Sequence, residues 1–163
     1  MKQLIIACAT ALSVAATGAF AHGDEHKATA EKEHREGHAD ALGKPGDPRK
    51  ISRTIAVEMS DAMRFSPAQI KVKRGETIKF VVKNTGKVKH EMVLGSIDEL
   101  KEHAALMQKF PEMEHADPNM VSVASGQTGE LIWKFTKAGS FDFACLQPGH
   151  FEAGMVGTIA VKR

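Results

Sequence analysis

Cysteine is scarce in this sequence: two occur in 163 residues, and the first, Cys8, falls inside an N-terminal segment laid out as a secretory leader. Met1-Lys2 supplies a short positive start, an apolar run extends from Leu4 to about Ala16, and Ala19-Phe20-Ala21 is a small-x-small cleavage signal. Cleavage is expected after Ala21. Ile5-Ile6-Ala7-Cys8 faintly resembles a lipoprotein site but lies ahead of most of the apolar run, which argues against that reading. The processed chain then keeps Cys145 alone, which excludes an internal disulfide. A lone thiol in an oxidising compartment needs protection by burial or by a metal.

Other absences narrow the field. No later segment is apolar for long enough to span a bilayer, so no membrane anchor is expected after processing. The formal net charge is only +2, lysines alternate with acids, and no aromatic-rich basic stripe occurs, which excludes a nucleic-acid footprint. No internal repeat is evident, and no nucleophile–base pattern of a hydrolase is present.

What is present is a compact set of soft and imidazole ligands. Cys145-Leu-Gln-Pro-Gly-His150-Phe-Glu-Ala-Gly-Met155 places a thiolate, an imidazole and a thioether at Cys-x4-His-x4-Met spacing. Two histidines and a cysteine with a weak axial methionine form a trigonal copper site. The second imidazole has a candidate in His90, within Asn84-Thr-Gly-Lys-Val-Lys-His90-Glu-Met. Soft sulfur ligands favour Cu(I) and imidazoles suit both oxidation states, so the set tolerates a redox cycle. Zinc competes on affinity, although a thioether ligand argues against it. Asn84 and Glu91 are the candidates for orienting the imidazoles through outer hydrogen bonds, and the sequence does not choose between them.

Three regions are expected: a leader over 1–21, a flexible His-rich arm over 22–50, and one domain over 51–163. The arm lacks aromatics and carries few sizeable aliphatics, so it has too little apolar surface to order itself. In the domain, short β-rich runs separated by turn signals suggest an antiparallel sandwich or barrel: 51–59, 70–75, 77–83, 90–94, 131–136, 141–144 and 156–162. One helix interrupts them. Ser96-Ile-Asp-Glu99 has the form of a capping box, and Pro111 stops the run.

Asn84-x-Gly…His90 followed by Cys145-x4-His150-x4-Met155 resembles the cupredoxin, or blue-copper, family over roughly residues 51–163. The resemblance implies an all-β Greek-key sandwich or barrel with one short helical insert and a disordered N-terminal arm. It implies a type 1 copper held by His90, Cys145 and His150, with Met155 axial. Asp61-Ala-Met-Arg-Phe65, His90-Glu-Met, His103…Met107, Pro111-Glu-Met-Glu-His115 and Pro148-Gly-His are similar to exported, azurin/plastocyanin-like copper-resistance cupredoxins of bacteria. Such proteins are periplasmic and contribute to copper tolerance.

Two accessory features bear on function. Met107, Met113, His115 and Met120 form a soft cluster that suits a weaker second copper site, or equally fills gaps in a core. His22, His26, His34 and His38 in the arm could capture further metal. Multicopper oxidases need His-x-His pairs, and none occurs here, so no residue is assigned a catalytic role and no enzyme is expected. The expected protein is a periplasmic, monomeric copper-tolerance protein with a redox-active mononuclear site, meeting redox or copper-handling proteins transiently. The alternative is a dedicated electron carrier.

Overall fold

A computed structural model describes residues 42–113 and 116–163. The expected leader, the four histidines of the expected arm and His115 lie outside the described residues. No helix among the described residues is long and apolar enough to cross a membrane.

Among the described residues the structure is built from β1 (Gly43–Pro45), a 3-10 helix (Pro48–Lys50), β2 (Arg53–Ser60), β3 (Arg64–Ser66), β4 (Gln69–Lys73), β5 (Thr77–Asn84), β6 (His90–Gly95), α1 (Ile97–Lys109), β7 (Met120–Val123), β8 (Thr128–Phe135), β9 (Gly139–Ala144) and β10 (Val156–Lys162). They form two five-stranded sheets, ordered β1-β8-β5-β2-β3 and β4-β10-β9-β6-β7. The seven expected strands and the helix are all there. The sheets are mixed, however, where sequence reading expected antiparallel pairing: β2 pairs with β5, and β4 with β10, in parallel. After the β2–β3 hairpin the chain crosses to the far sheet as β4 and returns as β5 on the other side of β2. That crossover makes the β2–β5 pair parallel.

Alternation along the strands directs one row of side chains into the space between the sheets. In β4 the pattern is strict, with Ile70 and Val72 buried and their neighbours exposed. Trp133, Phe80, Phe135 and Phe143 are the largest residues fully buried there. Strand β6 departs from alternation because all six of its residues are buried. Met92 and Leu94 face the inter-sheet core, while Val93 packs with Leu100, Ala104 and Met107 of α1, and with Ala144 and Leu146. The helix therefore covers the outer face of the second sheet. Its start is fixed by the expected capping box: the Glu99 N–H donates to Ser96 Oγ at 3.4 Å, and the Ser96 N–H to Glu99 Oε2 at 2.8 Å.

The first sheet takes in residues before 51. Leu42 is buried in the main core, and Gly43–Pro45 pairs with Trp133–Phe135 of β8. Gly43–Pro45, placed in the arm by composition, thus forms an edge strand of the first sheet. A three-residue strand containing proline and glycine carries no alternation that a sequence pattern could register.

Candidate metal centre

Strand β6 begins at His90, and its parity with Met92 and Leu94 turns the imidazole into the space between the sheets, where it is fully buried. Cys145 follows the last residue of β9 and shares the inward row of Phe143; it too is fully buried. His150 lies in the loop that joins β9 to β10 and is only partly covered. The Cys145 Sγ sits 3.2 Å from His150 Nδ1 and 3.8 Å from His90 Nδ1, and all three candidate ligand atoms lie within 4.8 Å of one another. The rings are 4.8 Å apart between centroids. Three donors around a first-row ion, at bond lengths of about 2.0–2.3 Å, stand roughly 3.5–4 Å apart in a trigonal plane. The donor set therefore fits a copper ion in size and in chemistry.

The loop from Cys145 to Met155 is closed by its own backbone. The Cys145 N–H donates to the Met155 carbonyl at 3.1 Å and the Met155 N–H to the His150 carbonyl at 3.0 Å. The His150 N–H donates to the Gln147 carbonyl at 2.9 Å. Gly149 and Gly154 both take φ of +84°, the left-handed region that glycine adopts without penalty, which is how the loop turns tightly enough to return. Met155 is fully buried and belongs to the same packed cluster as Cys145. His90, Cys145 and His150 are thus gathered at one end of the sandwich, and the Met155 backbone is bonded to Cys145 beside them.

The electrostatics of the metal-free site favour neutral groups. Burial pushes the Cys145 thiol up to about 12, opposed by the Glu91 N–H, which donates to Sγ at 3.4 Å. Burial also pulls the His150 imidazole below its ordinary range. A metal must displace the thiol proton to bind.

Neither Asn84 nor Glu91 orients an imidazole. Asn84, fully buried, donates from Nδ2 to the Val88 and Val123 carbonyls at 2.8 and 2.9 Å and accepts the Gly86 N–H at 2.9 Å. It shapes the loop leading into His90. Glu91 points to the other face of the sheet from His90, where its carboxylate accepts the Leu146 N–H at 3.2 Å and the Gln147 side-chain N–H at 3.0 Å. The residue that does reach a ligand is Asp61, in the β2–β3 turn: its Oδ1 lies 3.1 Å from His90 Nε2. The Lys87 backbone N–H, then His90, hold the Asp61 carboxyl below its usual range. Arg64, at the other end of that turn, donates to the Ala153 carbonyl at 3.1 Å and clasps the ligand loop. Asp61-Ala-Met-Arg stands out in the sequence, yet nothing local ties it to a histidine 29 positions later.

The methionines divide by place. Met59 and Met92 fill the core between the sheets. Met107, Met113 and Met120 line one cavity of about 160 Å³, together with Glu91 and Gln147, on the helix side of the second sheet.

A family model described as "Copper binding proteins, plastocyanin/azurin family" matches residues 52–162. The chain is 50% identical over 159 residues to the copper-resistant cuproprotein CopI of Rubrivivax gelatinosus, covering 98% of this chain and 94% of that one. It is 38% identical over 154 residues to CopI of Pseudomonas aeruginosa, covering 77% and 84%. Among solved structures, auracyanin B superposes with a TM-score of 0.62 at 20% identity, covering 74% of this chain and 95% of that one. An azurin from Methylomonas sp. strain J gives 0.52 at 22% identity, covering 69% and 99%. These structural likenesses bear on the fold alone.

Proposed function

Since the chain belongs to the plastocyanin/azurin family of copper-binding proteins, we propose that it is a periplasmic type 1 copper protein whose work is copper tolerance. The observation that carries this reading is the buried Cys145 Sγ between the Nδ1 atoms of His90 and His150. The similarity to proteins named copper-resistant cuproproteins supports the physiological part. Export rests on the leader read over residues 1–21.

In this reading His90, Cys145, His150 and Met155 would hold the copper. Bound copper supplies a one-electron couple between Cu(I) and Cu(II). The chain's contribution is a pre-shaped donor set: the backbone-closed loop fixes Cys145, His150 and Met155 together, and β6 holds His90 against them. Such a fixed donor set would need little rearrangement on a change of copper oxidation state. The soft cavity of Met107, Met113 and Met120 suits a weaker accessory copper. No enzymatic role is proposed, and the protein is taken as a monomer meeting redox or copper-handling partners transiently.

One observation favours the electron-carrier reading as a second: His150 alone among the three is partly exposed, offering an edge for electron exchange. A deletion strain separates the two. Copper sensitivity with normal respiration, restored by the wild-type gene but not by Cys145→Ala, is the expected result. Impaired respiration with unchanged copper tolerance would instead establish the electron carrier.

A further inference from the structure

We propose that Asp61 is a positioning residue of the metal centre, fixing the His90 ring so that Nδ1 faces Cys145 and strengthening that ring as a donor to the oxidised ion. The inference rests on the proposed copper site at His90, Cys145 and His150.

His90 has two ring nitrogens with different neighbours. Nδ1 faces the Cys145 Sγ at 3.8 Å, and Nε2 lies 3.1 Å from Asp61 Oδ1. A carboxylate only accepts, so the proton sits on Nε2 and donates to Asp61, leaving the Nδ1 lone pair toward the metal position. A carboxylate on the far nitrogen of a ligating histidine fixes the tautomer and raises ligand basicity. A stronger donor favours the more highly charged ion, so Cu(II) gains more than Cu(I).

Asp61 is itself held in place. Its Oδ2 accepts the Lys87 N–H at 2.8 Å and its Oδ1 the Val88 N–H at 3.4 Å, two residues of the loop that leads into His90. Gly86 passes so close that a Cβ there would run into the Asp61 carboxylate. The turn carrying Asp61 is strained: Met63 adopts φ of 57°, a left-handed conformation that disfavours a methionine. That backbone directs Asp61 to the His90 side of the centre and Arg64 to the loop bearing the other ligands. Strained backbone of this kind clusters at functional sites, and here it lies between a residue bonded to His90 and one bonded to the 145–155 loop.

The simpler alternative is that Asp61 only tethers the 86–88 loop. Asp61→Asn separates the two, because its single amide oxygen can still accept the Lys87 N–H, the shorter loop bond, while the negative charge is gone and the amide NH2 offers His90 Nε2 no acceptor. The full chain is loaded with copper, and its affinities for Cu(II) and Cu(I) and its reduction potential are compared with those of Asp61→Asn. The expected result is a fall of about tenfold in the Cu(II)-over-Cu(I) affinity ratio, equivalent to about 59 mV upward for one electron, with the thiolate–copper absorption band retained. An unchanged ratio in a variant that keeps the band would leave Asp61 a tether and overturn the inference alone. Absence of the band from the wild-type protein would overturn the site reading, and this inference with it. An independent check uses nitrogen-15 correlation spectra of the metal-free wild type, which requires no variant to fold. His90 protonated at Nε2 is expected, and protonation at Nδ1 instead would overturn the proposal.

Discussion

Replacing Asn84 by alanine probes how the sandwich presents His90, because this one side chain bonds three separate pieces of backbone. It donates to the Val88 and Val123 carbonyls and accepts the Gly86 N–H. Two of these bonds are partly buried, so water can replace them at a net loss of about 1 kcal/mol each. The bond to Val123 is fully buried, and the carbonyl it abandons loses its partner outright, costing about 2 kcal/mol. The expected destabilisation is therefore about 4 kcal/mol, or a fall in Tm of about 16 °C for a domain of this size. Trp133 is the single tryptophan and is fully buried, so urea unfolding of the metal-free protein followed by its fluorescence reads the change. Asn84→Asp supplies the control for shape. It keeps an acceptor for Gly86 but sets a carboxylate oxygen against two carbonyls, and it should be no more stable than the alanine variant. A loss under 1 kcal/mol for alanine, or a wild-type midpoint for aspartate, would refute the reasoning.

Gly157 in β10 lies against the Phe143 ring so closely that an added Cβ would overlap it. Gly157→Ala should cost about 1–3 kcal/mol in the same unfolding assay, and Phe143→Leu in the same chain should return part of that loss. In the metal-free protein burial pushes the Cys145 thiol from an ordinary value of 9.0 up to about 12. Its contribution to stability is therefore present below pH 9 and is lost as pH rises toward 12. Unfolding midpoints measured across that range should fall more steeply for wild type than for Cys145→Ala. Because copper displaces the same proton, loading should release it and weaken as pH falls, which a pH-stat titration measures.

The metal centre was legible because its chemistry is local. Cysteine, histidine and methionine at four-residue gaps define one loop, and only His90 had to be found at a distance. Capping residues made α1 equally readable, since Ser96 and Glu99 act within a single turn. What escaped was set by tertiary contact. Asp61 meets His90 only after β2 has paired with β5 and brought the β2–β3 turn beside the 86–88 loop. Glu91 is one residue from a ligand, yet the strand's alternation sends it to the opposite face. The parallel pairs follow from a crossover between sheets, and a period of two in the sequence carries no strand direction. Strand β1 needs Leu42 as its anchor, a single apolar residue in a polar stretch.

The most direct test is the optical and EPR spectrum of the protein loaded with Cu(II), compared with Cys145→Ala. The expected result is an intense thiolate-to-copper band with narrow copper hyperfine splitting, both lost in the variant. A pale spectrum that the substitution leaves unchanged, from folded protein, would contradict the assignment and place the copper on histidines or methionines away from Cys145.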